Sequence, residues 1–310
     1  MKARWWQAEP GPEPVQTCGL CFRGCRLKAG QWGVCRARRG GTEELTSPFL
    51  GRFTALAVDP IEKKPLHHWR PGTAIFSLGA LGCTMACPFC QNHHLAAPRF
   101  HQPPPMKALP PSELAREIRN LGLSAVAYTY NEPTLAAEYI LEASHLLEDE
   151  GVATVLVTNG MMSPAAAADL GPRVAAANVD IKTFNPETYR RLGGSLPAVQ
   201  DTVTGLLNLG VHVELTTLVV PGLSDDPEEF AALVDWVAGL DRDLPLHLSR
   251  YFPAHRHHAP ATDLDILRRF RRLAVGRLTR VSLGNIPGAA GPGIRRMEEQ
   301  NEPPYPRDGQ

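Results

Sequence analysis

The sequence predicts an α/β chain, a partial (β/α)6 TIM-like barrel preceded by a small cysteine-rich module. Three observations predict it. From about Thr73 onward, short β-rich apolar runs alternate with helical patterns, the texture of repeated βα units and a parallel sheet. Residues 1–50 are instead rich in Gly, Pro, Arg and Cys with little periodicity, so that segment folds around whatever its cysteines hold. All seven cysteines lie before residue 91, in two groups.

The elements follow in order. The module, residues 1–50, carries Cys18, Cys21, Cys25 and Cys35 at C-x2-C-x3-C-x9-C spacing. Next, "DPIEKKPLHHW" (59–69) packs charge, two histidines and Trp69 together and reads as a solvated linker. Because it leads into the strand before the second cysteine group, Glu62, Lys63 and Lys64 are expected to border the substrate entrance. The candidate strands are "AIFSLGA", "SAVAYTY", "ATVLVTN", "AANVDIK", "VHVELTTLV" and "PLHLSRY". Six are too few for a full eight-stranded barrel. Ser163, Asn185 and Asp226 each precede a proline and read as helix N-caps. In "SELAREIRNLGL", Leu114, Ile118 and Leu121 recur at helical spacing and give one stripe to lay on the sheet. A last strand, "RVSLGN", follows the helix "DLDILRRFRRLAVG", which ends the barrel near residue 286. Residues 287–310 have no periodic apolar face and are expected to form a flexible tail.

Composition narrows the function. Lys+Arg 32 equals Asp+Glu 32, so no overall field draws the chain to nucleic acid or anionic lipid. The arginines around the module, Arg23, Arg26, Arg36, Arg38 and Arg39, have few aromatics between them and read as solvated surface. No stretch approaches the ~20 apolar residues of a membrane span, and the first residues lack an apolar run, so a cytoplasmic protein is expected. In such a reducing compartment, crowded cysteines point to metal or cluster ligation.

The segment "GCTMACPFCQN" (82–92) follows the first barrel strand directly, at the carboxyl end of the sheet where such folds keep active sites. It offers Cys83, Cys87 and Cys90, with Phe89 before the third. Structural zinc wants four ligands; no fourth cysteine is near, although His93 and His94 are close enough to be considered. Three thiolates on one loop suit a [4Fe-4S] cluster with one iron left open. This C-x3-C-x2-C arrangement resembles the signature of the radical S-adenosylmethionine superfamily. The resemblance implies that the open iron chelates the amine and carboxylate of S-adenosylmethionine, that Phe89 lies near the adenine, and that the barrel is of the radical SAM type.

At the next strand ends, "YTYNEPT" (128–134) puts Asn131 and Glu132 where the superfamily meets the cofactor's amine; the plain alternative is a turn residue capping the next helix. "VTNG" (157–160) and "VDIK" (179–182) resemble segments of pyruvate formate-lyase activating enzymes. By that resemblance Asn159, Asp180 and Lys182 contact ribose and carboxylate, unless the Asp–Lys pair is structural. Those relatives carry an acid where this chain has Val157, which puts in doubt any monovalent cation it would help hold. Glu214 and His247, on the fifth and sixth strands, line the cofactor site if the strand phase turns them inward; otherwise they make buried hydrogen bonds.

Together, "CGLCFRGCRLKAGQWGVCRARR", "DPIEKKPLHHWRPG", "GCTMACPFCQN", "YTYNEPT", "VTNG", "TTLVVPGLSDD" and "SLGN" resemble the radical SAM protein of the AmmeMemoRadiSam system, over roughly residues 18–286. The resemblance implies a reducing partner such as ferredoxin or flavodoxin, association with Memo-like and AMMECR-like proteins, and an unidentified substrate. The amino-terminal quartet would be a closed site for zinc or a second iron–sulfur cluster. Two further readings are carried: an activase that makes a glycyl radical on a partner protein, and a non-catalytic, zinc-stabilised binding protein.

Overall fold

The computed structural model describes residues 3–11, 15–96 and 103–287. At its centre is an eight-stranded sheet. Seven strands run parallel, in chain order Ala74–Gly79, Ala125–Tyr128, Ala153–Thr158, Ala176–Asp180, His212–Val219, Leu246–Arg250 and Val281–Gly284. The eighth, Ala55–Pro60, pairs antiparallel with the first and forms the opposite edge. The two edges do not pair, so the barrel is open.

All six expected strands and the closing one form. The edge strand lies partly in the segment read as a linker. Its Leu56 and Val58 are 36% and 49% exposed, so the alternation that marks a half-buried strand is missing.

Helices on the outer face start as their sequences dictate. Ser163 Oγ accepts from Ala166 N, Asn185 Oδ1 from Thr188 N, and Asp226 Oδ1 from Glu228 N and Glu229 N. Each cap is worth about 1 kcal/mol. Helix Pro111–Asn120 buries Leu114, Ala115 and Ile118, whereas Leu121 lies one residue past its end and is exposed, so the stripe stops a turn early.

The apolar interior has two parts. A large cluster joins the helices to the outer sheet face and includes Tyr128, Tyr139, Val179, Phe230 and Phe270. A small one, formed by Ile61, Leu66, Ile75, Ala125, Ala127, Val155 and Ala176, takes residues only from strands and the segment after Pro60. It therefore marks the concave face, and residues 61–69 plug the barrel's amino-terminal end. Ile61 follows Pro60, which pairs with Ala74 at the start of the first parallel strand.

The amino-terminal segment forms a three-stranded antiparallel sheet, Trp6–Glu9, Val15–Cys18 and Arg26–Lys28. It docks on the barrel through Ser163 N donating to Leu20 O (3.0 Å), Phe22 N to Met161 O (3.2 Å) and the buried Arg38–Glu138 ion pair (2.7 Å). Of the expected tail, residues 287–310, all but the first lie outside the described residues. Among the described residues no helix is long and apolar enough to cross a membrane.

Candidate active site at the barrel mouth

Cys83, Cys87 and Cys90 stand on one loop, four to eleven residues after Gly79 ends the first parallel strand, at the carboxyl mouth. Two neighbouring strand ends and the end of helix Pro186–Arg191 hold that loop. Asn131, just after the second strand, accepts from Ala80 N at Oδ1 (3.0 Å) and donates Nδ2 to Gly82 O (3.0 Å). Asn159, at the end of the third, donates Nδ2 to Thr84 Oγ1 (2.9 Å) and points it at Cys83 Sγ (3.5 Å). Ala86 N donates to Leu192 O (2.9 Å). The loop is fixed before any ligand arrives, as a positioning scaffold requires.

Asp180 and Lys182, at the end of the fourth strand, form a 2.7 Å pair whose side chains stay 27% and 17% exposed. Burial opposes the Lys182 charge, but the Asp180 carboxylate and the nearby Cys87 sulfur outweigh it and raise its pKa. Conversely, burial pushes the Cys87 thiol up to about 11 although Lys182 draws it down. Burial likewise raises Cys83, with Glu132 adding to the effect, and raises Cys90. Thiols buried in this way keep their protons at neutral pH until a metal displaces them. The Lys182 backbone N donates to Tyr189 Oη (3.3 Å), a contact the sequence gave no sign of. Phe89 is 4% exposed and packs in the main core.

Three of the expected cofactor residues, Glu132, Glu214 and His247, are buried in hydrogen bonds within the chain. Glu132 is 1% exposed with both oxygens engaged: Oε1 accepts from Thr134 N (3.0 Å) and Thr158 Oγ1 (2.7 Å), Oε2 from Asn159 N (2.9 Å). It caps the next turn and anchors Asn159, with Oε2 accepting from that one donor alone. Burial raises its pKa despite those donors.

Glu214 and His247 do face inward, but near the amino-terminal ends of their strands. Glu214 has no exposure; it accepts from the backbone of His67 (3.0 Å) and His68 (2.8 Å) and from the rings of His212 (3.0 Å) and His247 (2.6 Å). Burial opposes its charge, yet these donors hold it well below the usual carboxylate range. The pair fastens the plug into the barrel floor.

The lysine-rich segment is also at that end. Lys64, 2% exposed, pairs with Asp59 at 2.6 Å, and Asp59 also accepts from Tyr130 Oη (2.7 Å). Lys63 reaches the same carboxylate, and Glu62 accepts from Gly72 N. Glu62 and Lys63 stay at the amino-terminal end, where the chain enters the first strand, but the Lys64 Nζ stands 4.7 Å from the ring of Tyr130, which follows the second strand and adjoins Asn131.

The four amino-terminal cysteines converge on one cavity, shared with Arg23 and Arg38. Arg23 Nε donates to Thr84 O (3.0 Å), which joins this group to the mouth loop. Among the described residues no three His, Cys, Asp or Glu side chains are gathered closely enough to hold a single metal ion.

An open parallel barrel with three thiols on the loop after its first strand defines a barrel protein built to hold an iron–sulfur cluster. The chain belongs to the radical SAM superfamily, whose family model matches residues 79–236. That membership implies a [4Fe-4S] cluster and S-adenosylmethionine, and the donor set fits: three thiols within one loop, a cationic Lys182 beside Cys87, and an amide N–H toward Cys83. An uncharacterized protein of Methanocaldococcus jannaschii is 34% identical over 281 residues, covering 88% of this chain and 82% of that one. Lipoyl synthase of Bacteroides thetaiotaomicron is 26% identical over 207 residues, 62% of this chain and 69% of the enzyme. Among solved structures, SuiB of Streptococcus suis bound to S-adenosylmethionine shares the fold with TM-score 0.52 and 17% identity, over 65% of this chain. This chain spans 47% of SuiB's length.

Proposed function

We propose that the protein is a radical SAM enzyme that abstracts hydrogen from a substrate bound in the barrel mouth. The observation that carries this reading is the juxtaposition of Cys83, Cys87 and Cys90 with the partly exposed Asp180–Lys182 pair. When bound, the cluster and S-adenosylmethionine supply one-electron cleavage of the sulfonium to methionine and a hydrogen-abstracting 5′-deoxyadenosyl radical.

The chain's residues do the rest. Cys83, Cys87 and Cys90 would hold the cluster. Asn159 directs an N–H at Cys83 Sγ, which orients the ligand and tempers its charge. Lys182 offers its ammonium to the cofactor's carboxylate, and Asp180 keeps that ammonium charged and aimed. Glu132 and Asn131 lock the two loops that carry these groups. Phe89, packed in the main core, would lie near the adenine. The surrounding core keeps water from the radical.

The electron comes from a donor of the ferredoxin or flavodoxin class. The resemblance to AmmeMemoRadiSam proteins supports Memo-like and AMMECR-like partners. Anaerobic reconstitution with dithionite and S-adenosylmethionine is expected to yield 5′-deoxyadenosine. Deuterium transfer from a labelled candidate identifies the substrate: from a glycine of a partner protein for an activase, from a small molecule otherwise. A reconstituted protein that binds iron yet yields no 5′-deoxyadenosine overturns the reading.

A further inference from the structure

We propose that Cys18, Cys21, Cys25 and Cys35 hold a second [4Fe-4S] cluster, which relays electrons into the mouth site and has Arg38 as its buried cationic partner. The relay rests on the radical SAM reading above; the cluster does not. All four cysteines line a single cavity, a closed set of four thiols of the kind that ligates a cubane cluster.

Arg38 supplies an independent observation. It is 1% exposed, lines that cavity, and spends Nη2 on Glu138 (2.7 Å). Its Nε and Nη1 are buried and, among the described residues, have no partner. Open donors on a buried cation are costly, and a cluster with four thiolates is an anion whose sulfurs accept N–H groups. The two observations meet in one cavity: four thiols and a buried cation with unspent donors.

The site also touches the mouth. A Cβ built on Gly82, at φ +90°, would stand 2.3 Å from Cys35 O, and Gly82 adjoins Cys83. Arg23, between Cys21 and Cys25, donates to Thr84 O. A low-potential one-electron donor of the ferredoxin or flavodoxin class is oxidised by one electron as the quartet's cluster is reduced. That electron then passes to the mouth cluster, and no bond or proton changes at the quartet.

Iron, sulfide and zinc analysis of the full chain, reconstituted anaerobically, tests this. The expected content is about eight iron and eight sulfide per chain with negligible zinc, falling to about four and four in Cys83→Ala/Cys87→Ala/Cys90→Ala. The reduced triple variant should show an S = 1/2 resonance, and the reduced wild type should show that resonance broadened by a second nearby spin. Arg38→Met should keep the iron and lower the quartet cluster's reduction potential. Should the triple variant not fold, the wild-type content decides alone. About four iron with one zinc overturns the cluster even if S-adenosylmethionine is cleaved normally. Eight iron with no spin coupling overturns the relay. Four iron in the triple variant upholds the quartet cluster even if the wild type cleaves nothing, the result that would sink the proposed function instead.

Discussion

Glu214→Ala separates a structural carboxylate from a cofactor ligand. The substitution removes an acceptor shared by two backbone N–H groups and two imidazoles, all at 2.6–3.0 Å and with no solvent to replace it. Each hydrogen bond to a buried charge is worth roughly 1.5–3 kcal/mol, but the four share one carboxylate and do not add. Breaking a buried ion pair from one side costs about 3–5 kcal/mol, the figure expected here. At a urea slope of about 3 kcal/mol per molar, the midpoint should fall by roughly 1–2 M.

pH gives a second reading. The folded Glu214 pKa is depressed, so its stabilisation is full above the unfolded carboxylate range and is lost as pH falls from about 5. Burial also depresses His67 and His68, whose contribution is lost as pH falls below about 6.5. The wild-type urea midpoint should therefore decline from pH 7 to 4, and the variant's should decline less below pH 5. Affinity for S-adenosylmethionine, measured by equilibrium dialysis on reconstituted protein, should change less than about twofold, below ~0.4 kcal/mol. A variant that loses under about 1 kcal/mol of stability but binds the cofactor tenfold more weakly would refute the placement of Glu214 in the floor.

Three substitutions test the mouth. Gly82→Ala forces a side chain into Cys35 O at a left-handed φ; it should cost about 1–3 kcal/mol by thermal unfolding and reduce iron retention, and unchanged stability would contradict the close contact. Asn159→Ala should slow 5′-deoxyadenosine formation by roughly 10–100-fold, as loss of an outer-shell partner does, while iron content is kept; an unchanged rate removes its role toward Cys83. Asp180→Asn should weaken S-adenosylmethionine binding about tenfold, or ~1.4 kcal/mol, by leaving Lys182 without its orienting charge; wild-type affinity would make the pair purely structural.

Much of this was legible in the sequence, for identifiable reasons. Every parallel strand was visible because strands covered on both faces are continuous apolar runs, and the proline-led helices were visible because Ser163, Asn185 and Asp226 cap by local chemistry alone. The three-cysteine loop was visible from its spacing, and Asn159, Asp180 and Lys182 were singled out by the resemblance of "VTNG" and "VDIK"; they stand at neighbouring strand ends. What failed depended on depth along a strand. Glu214 and His247 have the correct phase but sit near the strand starts, and phase says nothing about height within a barrel. Glu132 was recognised as the residue that could cap a turn, but its bonds to Thr158 and Asn159 involve residues 26 and 27 positions away. Arg23 and Arg38 were read as solvated surface because charge is normally exposed; one ties the module to the mouth loop and the other is buried against Glu138. Glu62 and Lys63 misled because the chain enters the sheet from its far end, whereas Lys64 reaches the ring of Tyr130 beyond the second strand.

The central claim is that Cys83, Cys87 and Cys90 leave one iron open for S-adenosylmethionine. Electron paramagnetic resonance of the reduced, oxygen-free protein tests it most directly, using a variant in which Cys18, Cys21, Cys25 and Cys35 are all serine. The account predicts a single [4Fe-4S]+ resonance whose g-values shift when S-adenosylmethionine is added, accompanied by 5′-deoxyadenosine. A resonance indifferent to the cofactor, or its absence from a folded, iron-loaded variant, would contradict it.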